Sequence, residues 1–381
     1  MRKELISQVR RVVLKIGSSI ITSKETGLND ARIEALAKEV CDLKGQGCQV
    51  VLVSSGAITS GLEPLGLSHR PQDIALKQAA AAVGQSRLMW SYERAFHPFG
   101  QKVAQILLTH EDLSQRRRFL NARNTLLTLL GRGVIPIINE NDTVSIEEIQ
   151  FGDNDRLAGM VAHLIDAQLL VILSDVDGLY TSDPKEDSQA TMLHVVSEVT
   201  PEIERLAGGS KTVEGTGGMV SKVQAAKQAS TYGVATLVIN GRNDSILTRL
   251  FKGEELGTLF LPRPARLRSR KHWIAYTRRS KGRLYLDSGA VEAVLQRGKS
   301  LLPSGIMKVE GQFEGGDAVS CVDEQGLEVA RGLVNYSSQE IEKIRGGRTA
   351  EIEKRLGYKF SDEVIHRDNL VILKKQEKKQ E

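Results

Sequence analysis

The sequence predicts an α/β protein: a parallel sheet sandwiched between helices, followed by a small β-rich barrel domain. Three observations carry that expectation. From residue 10 to about 262, short β-branched runs alternate with amphipathic stretches, the pattern of βα units on a parallel sheet. An arginine- and lysine-rich run then intervenes, and beyond it short strands alternate with glycine turns. The length of 381 residues exceeds the usual single domain and leaves room for two cores.

Taken in order, RVVLKIG (11–17) reads as the first strand. NDARIEALAKEVCDLKGQG (29–47) reads as a helix, with Asn29 or Asp30 as its cap and Ile33, Leu36, Ala37, Val40 and Leu43 at helical spacing. CQVVLVSSG (48–56) returns to strand, as do KVAQILLT (102–109), VIPIIN (134–139), QLLVILS (168–174) and VATLVIN (234–240). Residues 73–96, 118–131 and 155–167 supply the intervening helices. The first domain is therefore set at 1–262. RPARLRSRKHWIAYTRRSKGR (263–283) contains no acidic residue, and its first part, 263–275, is expected to be a basic linker. The β-rich domain is set at 276–368, and 369–381, ending in KKQEKKQE, is expected to be a charged, frayed tail.

Composition narrows the function classes. Hydrophobic residues make up 40% and charged residues 26%, and no apolar run approaches the ~20 residues of a membrane span. The first eleven residues carry charges throughout, with no apolar stretch of signal-peptide length, so the expectation is a cytoplasmic protein. Cys41, Cys48 and Cys321 are odd in number and lack CxxC spacing, which argues against a disulfide framework and a zinc site. The histidines show no HExxH spacing, and no protein ligand for a metal is assigned. A net charge of +5 permits an acidic partner, but aromatic residues at 4% offer few platforms for stacking single-stranded RNA.

In a parallel sheet the strand-to-helix loops leave from one edge, so polar loops after different strands can meet. Such loops are LKIGSS, SSGAITSG, NENDTV and SDVDGLYTSDP, joined by FGDNDRLAG and GTGGMVSK. Lys15 lies near the carboxyl end of an otherwise apolar strand, so its ammonium either snorkels to the sheet edge or meets an anion. GTGGMVSK (215–222) lacks the Walker spacing, yet the residues after it have a helical apolar face. Its glycines therefore sit at a helix N-terminus, where free amides and the dipole favour phosphate, with Lys222 on the first turn. The alternative is a loop ahead of a surface helix. GDND can likewise be a simple helix cap through Asp153 or Asn154.

With these segments in place, the chain resembles the amino-acid kinase superfamily and, within it, the bacterial glutamate 5-kinase family. VLKIGSS, VSSGAITSG, NENDTV, GDNDRLA, SDVDGLYTSDP and GTGGMVSK occur in that family's order. Residues 276–368 resemble a PUA domain, a module known from RNA-modifying enzymes. The resemblance implies an amino-acid-kinase-like sandwich that transfers the γ-phosphoryl group of ATP, with Mg²⁺, to the side-chain carboxylate of L-glutamate. The product is L-glutamyl 5-phosphate, in the first step of proline synthesis. Carried over residue by residue, Lys15, Asp155 and Lys222 are catalytic, and Ser55, Asp142 and Asn154 hold glutamate. Lys15, Ser174, Asp175, Thr216, Gly217, Gly218, Met219, Val220, Ser221 and Lys222 line the nucleotide site. Threonine is common in the family at positions 174 and 221, and serine keeps the hydroxyl at both. Feedback inhibition by proline, hand-off to a glutamyl phosphate reductase and a homo-oligomer are further implications. The alternatives are a sister kinase of the acetylglutamate type, or an RNA-binding protein acting through the PUA-like domain.

Overall fold

The computed structural model describes residues 2–23, 27–144, 154–184, 186–208, 218–263 and 280–373. The chain divides into two units, Met1–Pro264 and Ala265–Glu381, so the division falls inside the expected linker. Most of that linker and the last eight residues of the expected tail lie outside the described residues.

The first unit is built on strands β1 (Arg11–Ile16), β2 (Thr22–Ser23), β3 (Gly27–Leu28), β4 (Gln49–Ser54), β5 (Val103–Leu108), β6 (Ile135–Glu140), β7 (Leu169–Ser174), β8 (Val195–Val196), β9 (Ala235–Asn240) and β10 (Thr258–Phe260). Eight of them form one sheet in the order β5-β6-β4-β1-β7-β9-β10-β8, while β2 and β3 make a separate small hairpin. The strands from β5 to β9 all run parallel. β10 reverses against β9, and β8 runs parallel to β10. These two strands are too short to show an alternating pattern in the sequence.

β1 lies at the middle of the sheet, and its side chains divide between two layers by the period of two that a strand imposes. Val12, Leu14 and Ile16 join the core covered by the Asp30–Gly45 and Ile74–Phe96 helices. Val13 joins the opposite core, with Leu157, Ala158, Val161 and Ala162 of the Asn154–Leu164 helix and Val223, Ala226 and Ala229 of the Met219–Thr231 helix. Lys15, two residues after Val13, therefore emerges on the face those two helices cover. Small residues such as Ala158 and Ala225 let the helices lie close together.

Glycine matters most where the Ala57–Leu62 helix crosses the Ile74–Phe96 helix. A Cβ on Gly61 would lie 1.9 Å from the Ala80 carbonyl oxygen, and one on Gly84 would lie 1.8 Å from that of Ala57. The two backbones are thus in contact, which fixes the loop that leaves β4.

The second unit contains β11 (Gly282–Leu286), β12 (Ile306–Gly311), β13 (Ala318–Val322), β14 (Glu328–Leu333) and β15 (Leu370–Ile372), in the order β12-β11-β13-β14-β15. Leu284, Leu286, Val319, Cys321 and Ala330 form its own core, with Ile341 and Ile344 of the Ser338–Ile344 helix. A capping box between Ser337 and Glu340 starts that helix. β15 pairs with β14, so the fold continues past residue 368 into the segment the sequence assigned to the charged tail. That correction has a simple cause: LVI is a three-residue strand set against a strongly charged flank, too short to register as a strand.

Candidate active site

The carboxyl ends of β1, β4, β6, β7 and β9 share one sheet edge. Gly17, just after β1, donates its amide to the Leu173 carbonyl at 3.1 Å, and a Cβ there would lie 3.1 Å from the same oxygen. Ser55, just after β4, donates its amide to the Ile16 carbonyl at 3.1 Å. The three central strand ends are stitched together in this way.

Asp155 sits in the first turn of the Asn154–Leu164 helix, where the dipole favours a carboxylate, and it is 0% exposed. Lys15 Nζ lies 2.6 Å from its Oδ1, and Lys222 Nζ lies 3.3 Å from its Oδ2. Both lysines are buried, at 7% and 5% exposure. Burial by itself would raise the Asp155 pKa. The charges of Lys15 and then Lys222, with hydrogen bonds from Lys15 and Ser221, outweigh it and hold the pKa at about 2. The three groups together carry one net positive charge in a site almost closed to water. Gly218 caps the Met219–Thr231 helix in extended conformation and, being glycine, offers no side-chain acceptor to its first amides. Net positive charge beside a helix N-terminus is the setting for a polyanion.

A second group of polar side chains lies next to the first. The Asn154 amide nitrogen is 2.9 Å from the Ser54 carbonyl, 2.9 Å from Ser55 Oγ and 3.0 Å from Asn139 Oδ1. A backbone carbonyl can only accept, so Ser54 fixes which way the amide faces. Asn154 Oδ1 is thereby left buried with no hydrogen-bond partner among the described residues. An orphaned buried acceptor is costly, and a donor on a bound ligand would relieve it. Asn139 in turn donates to Gln85 Oε1 at 2.8 Å, tying the group to the Ile74–Phe96 helix.

The remaining expected residues fall as follows. Asp142 is half-buried beyond the end of β6, and its charge acts on Arg70. Ser174 is buried at the end of β7, 3.2 Å from Asp175 Oδ1, and its carbonyl accepts from the Gly241 amide at 2.7 Å. Asp175 is exposed. Met219 is half-buried and Val220 exposed on the first helical turn. Thr216 and Gly217 lie outside the described residues, as does Asp153. Sequence reasoning missed Asn139, Gln85 and Arg70 as members of the site. It also placed Ser221 against the nucleotide alone, whereas its hydroxyl lies 2.7 Å from Asp155 Oδ2. Only Asn139 left a trace in the sequence, as a polar residue ending an apolar strand.

A doubly covered parallel sheet whose central strand, together with a helix N-terminus, presents two lysines on one carboxylate defines a phosphotransferase of the kinase class. The chain belongs to the amino acid kinase family, whose model matches residues 10–240, with a PUA domain matched over 282–356. Within that family it is similar to glutamate 5-kinases. The one from Geobacter sp. (strain M21) is 55% identical over 98% of this chain and 100% of its own. That of Syntrophotalea carbinolica is 54% identical over 98% and 100%, and that of Caldanaerobacter subterraneus subsp. tengcongensis is 50% identical over 97% and 99%. Among the described residues no helix is long and apolar enough to cross a membrane.

Proposed function

We propose that the protein phosphorylates the side-chain carboxylate of L-glutamate with ATP, giving L-glutamyl 5-phosphate and ADP. The observation that carries the reading is the Asp155 carboxylate shared by two buried lysines beside the Met219–Thr231 helix N-terminus. A carboxylate is already ionised and nucleophilic at neutral pH, so no general base is required, and catalysis reduces to alignment and charge neutralisation. Lys15 and Lys222 offset the repulsion between the incoming carboxylate and the phosphates, while Asp155 holds both ammonium groups in place. Ser174 and Asp175, at the end of β7, belong to the nucleotide side of the site. Mg²⁺ bound with the nucleotide would supply further neutralisation of charge on the transferred group; among the described residues no cluster of metal-ligating side chains is present to hold it independently.

Ser55 and Asn154 belong to the glutamate side, where the orphaned Asn154 Oδ1 suits a donor such as the substrate ammonium. Asp142 adds a carboxylate for the same ammonium, with Arg70 near enough to feel its charge. Asp142→Ala is accordingly expected to raise the KM for glutamate by about tenfold or more, the size of one charge-assisted hydrogen bond lost, with the ATP KM little changed. Equal rises in both constants, measured by steady-state kinetics, would remove Asp142 from the amino-acid side.

A coupled assay of ADP release tests the function itself, with glutamate, N-acetylglutamate, aspartate, carbamate and UMP as acceptors. Turnover with glutamate is the expected result, and turnover with N-acetylglutamate in its place would replace this reading. The near full-length glutamate 5-kinase relatives do not favour either the acetylglutamate alternative or a purely RNA-binding role.

A further inference from the structure

We propose that Ser221 is a positioning residue for phosphoryl transfer, its hydroxyl fixing the Asp155 carboxylate so that one oxygen faces Lys15 and the other Lys222. The inference rests on the kinase reading above and deepens it. Ser221 Oγ lies 2.7 Å from Asp155 Oδ2 and 2.9 Å from the Gly218 carbonyl oxygen. A hydroxyl has one proton to give, and an ionised carboxylate is a stronger acceptor than a peptide carbonyl. With that proton committed to Asp155, Ser221 is not available as a donor to a phosphate oxygen, which is where the sequence alone would put it.

The need for a third donor follows from the unequal lysine contacts. Lys15 grips Oδ1 at 2.6 Å, but Lys222 reaches Oδ2 only at 3.3 Å. The longer Lys222 bond holds Oδ2 more loosely than Lys15 holds Oδ1, and the last side-chain torsion of aspartate is broad and shallow. The Ser221 hydroxyl adds a second and shorter bond at Oδ2, 2.7 Å against the 3.3 Å of Lys222. It also comes from the residue next to Lys222, so the helix that delivers the lysine delivers the brace for its partner. Aligning two ammonium groups on a group in transit depends on such bracing, because small displacements cost large factors in rate.

Kinetics of Ser221→Ala and Ser221→Thr, each made in the native and the Asp155→Asn backgrounds, test the proposal. Ser221→Ala is expected to lower kcat by about 10- to 10²-fold, the size of one hydrogen bond to a charged group, with both KM values little changed. Ser221→Thr, which keeps the hydroxyl, is expected to restore kcat. In the Asp155→Asn background Ser221→Ala is expected to add little, because the residue acts through Asp155. A rise confined to the ATP KM would return Ser221 to the nucleotide, and equal losses in both backgrounds would make its role independent of Asp155. Either result overturns the proposal. Carboxyl NMR titration of Asp155 needs no turnover and so separates this inference from the choice of substrate. The Asp155 pKa is expected to rise from about 2 in Ser221→Ala and to return in Ser221→Thr. An unchanged value would overturn the bracing role even in a protein that phosphorylates another acceptor.

Discussion

Lys222→Ala is expected to lower kcat by about 10²- to 10³-fold, the usual loss for one preorganised donor aimed at developing charge. Two features of the site set that size. Lys222 is 5% exposed, so solvent does little to screen it, and it sits on the first turn of the Met219–Thr231 helix, where the helix dipole is positive. Removing it also halves the lysine charge on Asp155 while leaving Lys15 and Ser221 in place at 2.6 and 2.7 Å. The carboxylate therefore keeps two partners, and the variant is expected to fold and to bind ATP. Steady-state turnover with saturating glutamate and ATP reads the effect directly. Near-normal kcat in a folded variant would show that Lys222 is a structural counter-ion and would undo the assignment of this sheet edge as the transfer site.

The sequence exposes those parts of this site that local pattern determines. Lys15 stands out because a cation ends an apolar strand, and the period of two that puts Val13 in one core puts Lys15 on the same face. The Met219–Thr231 helix is visible from the spacing of Val223, Ala226 and Ala229, and with it the glycine-led N-terminus that carries Lys222. Local pattern does not say which partners meet. Asp155 and Ser221 are 66 positions apart, and Asn139 and Gln85 are 54 apart, so their bonds depend on how three helices and a strand pack. The β10 reversal escaped for a different reason, since a three-residue strand has too little alternation to announce itself. Arg70 lies in a polar loop where one more arginine among many carries no signal.

The largest effect on stability is expected at Asp155. With alanine there, two ammonium groups remain close together and buried without the carboxylate they share, and breaking a buried pair in this manner costs roughly 3–5 kcal/mol. Asp155→Asn keeps the shape and two hydrogen-bonding atoms but not the charge, so it separates electrostatics from packing. The folded-state pKa of about 2 lies below the ordinary 3.8, so the unfolded chain binds the proton more readily than the native one. The resulting contribution is present at neutral pH, begins to fall as the pH approaches 3.8, and is lost as the pH drops through the lower folded-state value. Denaturant unfolding of the native protein and of Asp155→Asn across that window should therefore give stabilities that converge toward the acid end. A constant gap between the two curves from neutral pH down to about 2 would mean that the charge shared by Lys15 and Lys222 does not stabilise the fold, and that the pairing serves alignment alone.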